Sequence, residues 1–229
     1  MKLGIIAAMT IEAELIVASM NDPIKEKCGG IEYTLGKIGD IDVICAVCGV
    51  GKVFAAMCAQ AMIVRYSPDC IVNTGVGGTL TRELSIGDVA ISHAVVQHDM
   101  DTSPLGDPVG LISGINIIEI PASVELGEKI CKIAERSGVK TLCGTIASGD
   151  RFVADADVKK RIVDNFGAVV CEMEGAAVGQ VCYVNGVPFV VVRAVSDDAD
   201  GGACEDYPTF AKKSAEVSAK IIVELANSL

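Results

Sequence analysis

The chain has 229 residues, 51% of them hydrophobic, with a formal net charge of −11. That length is expected to fold as a single domain over 1–229, large enough to bury most of the surface its unfolded form exposes. The negative charge excludes nucleic acid and an anionic membrane surface as partners, since both require a basic patch, and no apolar run approaches the roughly 20 residues of a membrane span.

The N-terminal run Lys2–Ala8 reads as a core strand rather than a signal peptide, having neither a basic region nor a cleavage site; a cytoplasmic location is expected. Thr10 is a plausible N-cap for a helix over 11–20. Glu12 then falls in the first turn, just past the strand. It suits the helix macrodipole there, and equally a carboxylate held at the mouth of a sheet. Two β runs, 30–38 and 41–47, flank Gly39-Asp40, a hairpin signal of the glycine-first turn type.

Gly49-Val-Gly51-Lys52 opens a helix to about Tyr66. It looks like the tail of a phosphate-binding loop and fails the pattern, with Ala46 in place of the leading Gly and Val53 in place of Ser or Thr. Asp69–Thr74 is a further strand ending in Gly75-Val-Gly77-Gly78. Leu80 stands where a dinucleotide fingerprint needs its last Gly, so these glycines mark a turn or a close approach of backbone to ligand.

The run 86–97 is a long strand leading to His98-Asp99. With two histidines in the chain and no further ligand cluster nearby, no metal and no cofactor are expected. Residues 103–114, rich in Pro and Gly, form a loop. A helix runs from Ser123 to about Ser137. A strand over 141–148 ends in Ser148-Gly-Asp-Arg-Phe-Val153, and a short helix follows over 158–165.

The densest signal is Ala168-Val-Val-Cys-Glu-Met-Glu-Gly175, an apolar strand that runs into two acids and then a small-residue helix. Carboxylates are costly to bury unless something binds them, and the carboxyl edge of an α/β sheet is where ligands sit. Twenty residues on, Arg193 interrupts the Val-rich strand 187–195, which ends in Ser196-Asp197-Asp198. A buried arginine needs a carboxylate; Glu172 and Glu174 are the candidates if the two strands are parallel neighbours. A last helix is expected over 208–227. Most of the ten cysteines, among them Cys45, Cys58, Cys70, Cys143, Cys171 and Cys182, sit in apolar patterns and read as core hydrophobes. Polar clusters thus follow many of the strands, and the expected architecture is a three-layer α/β/α fold with a central mixed, mostly parallel sheet.

Five blocks together, Gly4-Ile-Ile-Ala-Ala-Met-Thr-Ile-Glu12, Asn73-Thr-Gly-Val-Gly-Gly78, Ser148-Gly-Asp-Arg-Phe152, Glu172-Met-Glu174 and Arg193-Ala-Val-Ser-Asp197, resemble the 5'-methylthioadenosine/S-adenosylhomocysteine nucleosidases of the nucleoside phosphorylase superfamily. The resemblance implies hydrolysis of an N-glycosidic bond to adenine and an alkylthioribose, a place in methionine salvage, and a homodimer whose 102–114 loop completes the neighbour's pocket. It implies Glu12 as the group that activates water and Asp197 as the acid that protonates adenine at N7. Met173 and Glu174 would hold the ribose, Phe152 would stack on the base, the Val153 backbone would read its edge, and Gly78 would lie against the substrate. Ser196 would orient Asp197, and Arg193 would help place Glu12 and the water. Val76 departs from the pattern, standing where many members carry Ser. A purine nucleoside phosphorylase is the alternative activity, but the strand end at Ala7–Glu12 lacks the arginine that phosphate needs. A binding protein that has lost catalysis is a further alternative, and 5'-deoxyadenosine and 6-amino-6-deoxyfutalosine are alternative substrates.

Overall fold

The computed structural model describes residues 1–199 and 203–229, with side chains described outside 203–209. In chain order the elements are β1 (Lys2–Ala7), α1 (Thr10–Ala18), β2 (Asn21–Cys28), β3 (Ile31–Ile38), β4 (Ile41–Val47), α2 (Lys52–Tyr66), β5 (Cys70–Thr79), β6 (Val89–Gln97), β7 (Ile120–Pro121), α3 (Val124–Arg136), β8 (Thr141–Ser148), α4 (Ala156–Phe166), β9 (Val170–Glu172), α5 (Gly175–Asn185), β10 (Phe189–Asp197) and α6 (Ala203–Ser228). The expected α/β/α layering is present. One apolar cluster joins α1, α3 and α6 to one sheet face through Ile16, Ile130 and Ile222. A second joins α2 and α5 to the other through Cys58, Met62 and Val178.

The sheet is mixed. Its path is β10-β6-β8-β9-β5-β1-β4-β3-β2, and β10 also pairs with β5. Five strands therefore close into a ring, from which β1, β4, β3 and β2 extend as an open wing. Parallel pairings hold the strands that carry the polar clusters: β1 with β5, β5 with β10, and β8 with β9. Those strands are buried on both faces, and β10 is buried along its whole length.

Several sequence expectations shift. The glycine run after Thr74 is strand, not turn: β5 continues to Thr79, pairing Gly75, Gly77 and Gly78 with Arg193, Val195 and Asp197. Strand β2 gave no apolar alternation and escaped the sequence reading; it is an exposed edge that, among the described residues, pairs only with β3. The N-cap of α1 is Met9 rather than Thr10, and α6 begins five residues before Pro208. The hairpin at Gly39 forms as expected, with Gly39 at φ +58°. Cys143 is exposed, not core.

Candidate active site

Each polar cluster named from sequence reaches one cavity, which encloses about 520 Å³ with its open mouth included. Its walls include Glu12, Gly78, Phe152, Val153, Met173, Glu174 and Asp197 from the sequence-predicted set. Arg193 and Ser196 lie behind the wall, the first holding its carboxylates and the second touching Asp197.

Glu12 stands at the third position of α1 and its side chain turns back. Oε2 accepts N–H bonds from Ala8 (2.9 Å) and Met9 (2.8 Å), while Oε1 accepts one from Val76 (3.1 Å). Both readings of this residue therefore hold: it caps its own helix and it faces the cavity. Burial raises its pKa; the positive field of Arg193 and the three N–H donors pull the other way. The Val76 side chain offers no hydrogen bond, yet its backbone supplies one to Glu12.

Asp197 ends β10. Ser196 Oγ donates to its Oδ2 (2.8 Å) and the Ala199 N–H to its Oδ1 (2.9 Å). Its pKa is raised, first by burial and to a lesser degree by Asp198, against the lowering effect of both donors.

The two acids rest on one stretch of strand. A Cβ at Gly75 would lie 2.6 Å from Glu12 Oε1, and a Cβ at Gly78 would lie 2.6 Å from Asp197 Oδ1. Glycine is required at both positions because side-chain carboxylates occupy the space a methyl would take. This is a packing demand rather than a φ demand, as neither residue has positive φ.

Arg193 is fully buried and paired as expected with Glu172 and, at 3.7 Å, with Glu174. The route differs from the sequence reading: β9 and β10 are not neighbours, because β5 lies between them. Arg193 also donates through Nη2 to Asn73 Oδ1 (2.6 Å), while its buried Nε has no hydrogen-bond partner among the described residues. It acts on Glu12 through its field. Glu172 and Glu174 divide their tasks. Glu172 is bound from several sides, by Arg193, Ser148 Oγ and the N–H groups of Glu174 and Gly175. Glu174 accepts one bond from the Gly51 N–H (2.8 Å). Burial pushes its pKa up to about 7, aided by the charge of Glu172 and opposed by Arg193.

The failed phosphate-loop signal finds its use here. The Gly49–Lys52 turn directs its N–H groups at two carboxylates of the protein itself, Gly51 to Glu174 and Lys52 to Asp150 Oδ1 (2.7 Å). Lys52 Nζ also reaches Asp99 Oδ1 (2.6 Å), and Asp99 Oδ2 accepts the Asp150 N–H (2.9 Å). The segment bearing Phe152 and Val153 is thereby moored to α2 and to the end of β6. Phe152 is 43% exposed at the cavity mouth.

Met9, Val50, Arg151 and Cys171 also line the cavity and were not singled out as site residues from sequence, and Val76, the departure from the family pattern, lines it too. The turn glycines around Val50 are the one signal that could have flagged it. The walls thus combine two acids of raised pKa, a further buried carboxylate at Glu174 and an apolar, partly aromatic mouth.

The sequence model of the Phosphorylase superfamily matches residues 2–227. A 5'-methylthioadenosine/S-adenosylhomocysteine nucleosidase of Shewanella halifaxensis (strain HAW-EB4) is 37% identical over 230 residues, all of both chains. Among solved structures, a mutant Helicobacter pylori nucleosidase with 5'-methylthioadenosine in the active site superposes with a TM-score of 0.96 at 34% identity, covering 100% of this chain and 99% of that one. A futalosine hydrolase of Helicobacter pylori strain 26695 does so with the same TM-score and identity, covering 100% and 98%.

Proposed function

The chain belongs to the 5'-methylthioadenosine/S-adenosylhomocysteine nucleosidases of the phosphorylase superfamily, and from that premise we propose that it hydrolyses the N-glycosidic bond of both nucleosides, releasing adenine and an alkylthioribose. The observation that carries the reading is that Glu12 and Asp197, 185 positions apart in sequence, line one cavity together with Met173 and Glu174.

Glycoside hydrolysis passes through an oxocarbenium-like state and needs an acid on the leaving group and a base on the water. Asp197, whose raised pKa favours the protonated form, gives its proton to adenine N7, and the electrons of the breaking bond withdraw into the purine. Glu12 takes a proton from water as the oxygen bonds to the anomeric carbon. Arg193 holds Glu172 and Glu174 in place and acts on Glu12 through its positive field, helping to place the water. Glu174 binds the ribose hydroxyls more strongly as the ring becomes cationic. Phe152 stacks on the base, the Val153 backbone reads its edge, Gly78 lies against the substrate, Met173 packs on the ribose, and Ser196 orients Asp197. No step requires a cofactor.

The homology to a futalosine hydrolase favours 6-amino-6-deoxyfutalosine as a second substrate of the same site. We further propose one domain over 1–229, a cytoplasmic location, a role in methionine salvage, and a homodimer in which the 102–114 loop completes the neighbour's pocket. Exposed Val53, Phe54 and Met57 on α2, next to cavity-lining Val50, support that association, as does Leu105 at 84% exposure.

The deciding experiment measures adenine release in phosphate-free buffer from 5'-methylthioadenosine, S-adenosylhomocysteine and 6-amino-6-deoxyfutalosine. Turnover without phosphate is expected. A strict dependence on phosphate, with the 5-substituted ribose 1-phosphate (5-methylthioribose 1-phosphate from 5'-methylthioadenosine) as product, would sink the hydrolytic reading.

A further inference from the structure

Of the cysteines among the described residues, Cys45, Cys48, Cys58, Cys70, Cys171 and Cys182 are buried. Burial raises each of these thiols, Cys45, Cys58, Cys171 and Cys182 to about 12 and Cys70 to about 11. The thiolate is the nucleophile in thiol chemistry, so burial makes these six poor nucleophiles. A different situation holds on the far side of β8. Cys131 on α3 and Cys143 on β8 bring their sulfurs to 3.4 Å, with Cys143 exposed and Cys131 half-buried. A disulfide bond is roughly 2.05 Å long, which leaves about 1.3 Å for side-chain rotation to close.

We propose that Cys131 and Cys143 are a thiol modification site that reacts with a small-molecule disulfide and closes into an internal disulfide joining α3 to β8. The exposed Cys143 attacks as thiolate, forming a mixed disulfide and expelling one small thiol. Cys131 then loses its proton to solvent, attacks Cys143 Sγ and expels the second. The two cysteines are oxidised, and the incoming disulfide is reduced to two thiols. Cys131 is the resolving member because burial and the adjacent Cys143 hold its thiol at about 11. Neither sulfur lines the cavity, so the bridge leaves the chemistry intact. It ties the C-terminal half of α3 to the strand that leads into Ser148 and Phe152.

The test treats the whole protein with oxidised glutathione and reads non-reducing tryptic peptides, intact mass and Tm. The expected result is a peptide pair linking Cys131 to Cys143, a mass two hydrogens lower, a Tm higher by about 6–12 °C for a loop this short, and full reversal by dithiothreitol. Cys143→Ser, a surface change that leaves folding intact, should show no linked pair and no Tm gain. A persistent glutathione adduct on Cys143 with Cys131 still alkylated by iodoacetamide would overturn the proposal, as would linkage through other cysteines or no reaction.

Discussion

Gly78→Ala is the sharpest perturbation of the proposed acid, because the substituted side chain is too small to do anything but occupy space. Its Cβ would sit 2.6 Å from Asp197 Oδ1 and 2.8 Å from Ala199 Cβ, where ordinary contact begins near 3.4 Å. The carboxyl and the residue whose N–H holds it must both retreat, by roughly 0.8 Å. A displacement of about 1 Å at a reacting group costs on the order of 100-fold, or about 2.7 kcal/mol of barrier. Overpacking of this kind costs about 1–3 kcal/mol of stability, a Tm loss of about 2–12 °C in a chain of this size. Gly75→Ala makes the same intrusion on Glu12 and should behave alike. Gly127→Ala in α3 is the control: its Cβ meets nothing closer than Ile91 at 3.7 Å, and alanine suits a helix interior better than glycine. The assay is the initial rate of adenine release at saturating 5'-methylthioadenosine, with Tm measured in parallel. Expected are kcat values about 100-fold down for the first two variants and unchanged for the third. A folded Gly78→Ala enzyme that keeps more than a third of kcat would refute the idea that Asp197 works from the position β5 gives it.

Asp197→Asn should reduce kcat by at least about 100-fold while adenine still binds by calorimetry; near-normal turnover would remove the acid role. Glu174, with a pKa raised to about 7 from an ordinary 4.5, binds a proton more tightly folded than unfolded. Its stabilising contribution is complete below about pH 4.5 and is lost as pH rises through 7. The Tm of the wild type should therefore fall relative to that of Glu174→Gln between pH 4.5 and 7.5, and a pH-independent difference would contradict it. Lys52→Met frees Asp99 and loosens the moored segment that carries Phe152. For a partly buried pair this amounts to about 1 kcal/mol, seen as a roughly five-fold rise in KM with kcat preserved; a loss confined to kcat would show that Lys52 acts elsewhere.

What could be read from sequence depended on whether a residue's task is local or assembled. Strands buried on both faces announced themselves through Val-rich runs, and the acids at their ends were visible because charge inside such a run demands a reason. Arg193 was correctly matched to Glu172 and Glu174, but through the wrong adjacency, since nothing in either strand records that β5 runs between them. The glycines at 75 and 78 read as a turn because composition cannot distinguish freedom of φ from a need for empty volume, and only the folded neighbours show that carboxylates fill it. Strand β2 was silent because an exposed edge needs no apolar period. Cys143 looked like core because its neighbours in sequence are apolar, while the residue itself lies exposed beside Cys131 of α3.

The closure of five strands into a ring has a consequence for how copies of this chain meet one another. A closed sheet presents no free hydrogen-bonding rim at that end, so among the long strands of the described residues the open rim is that of β2. There Asn21-Asp-Pro-Ile-Lys-Glu-Lys interposes a proline lacking an N–H and a row of charges, with a pairing irregularity between Asn21 and Ile24. A chain this apolar is thus guarded against strand-by-strand aggregation by a single polar border, and Pro23 and Lys25 are where that guard is thinnest to mutation.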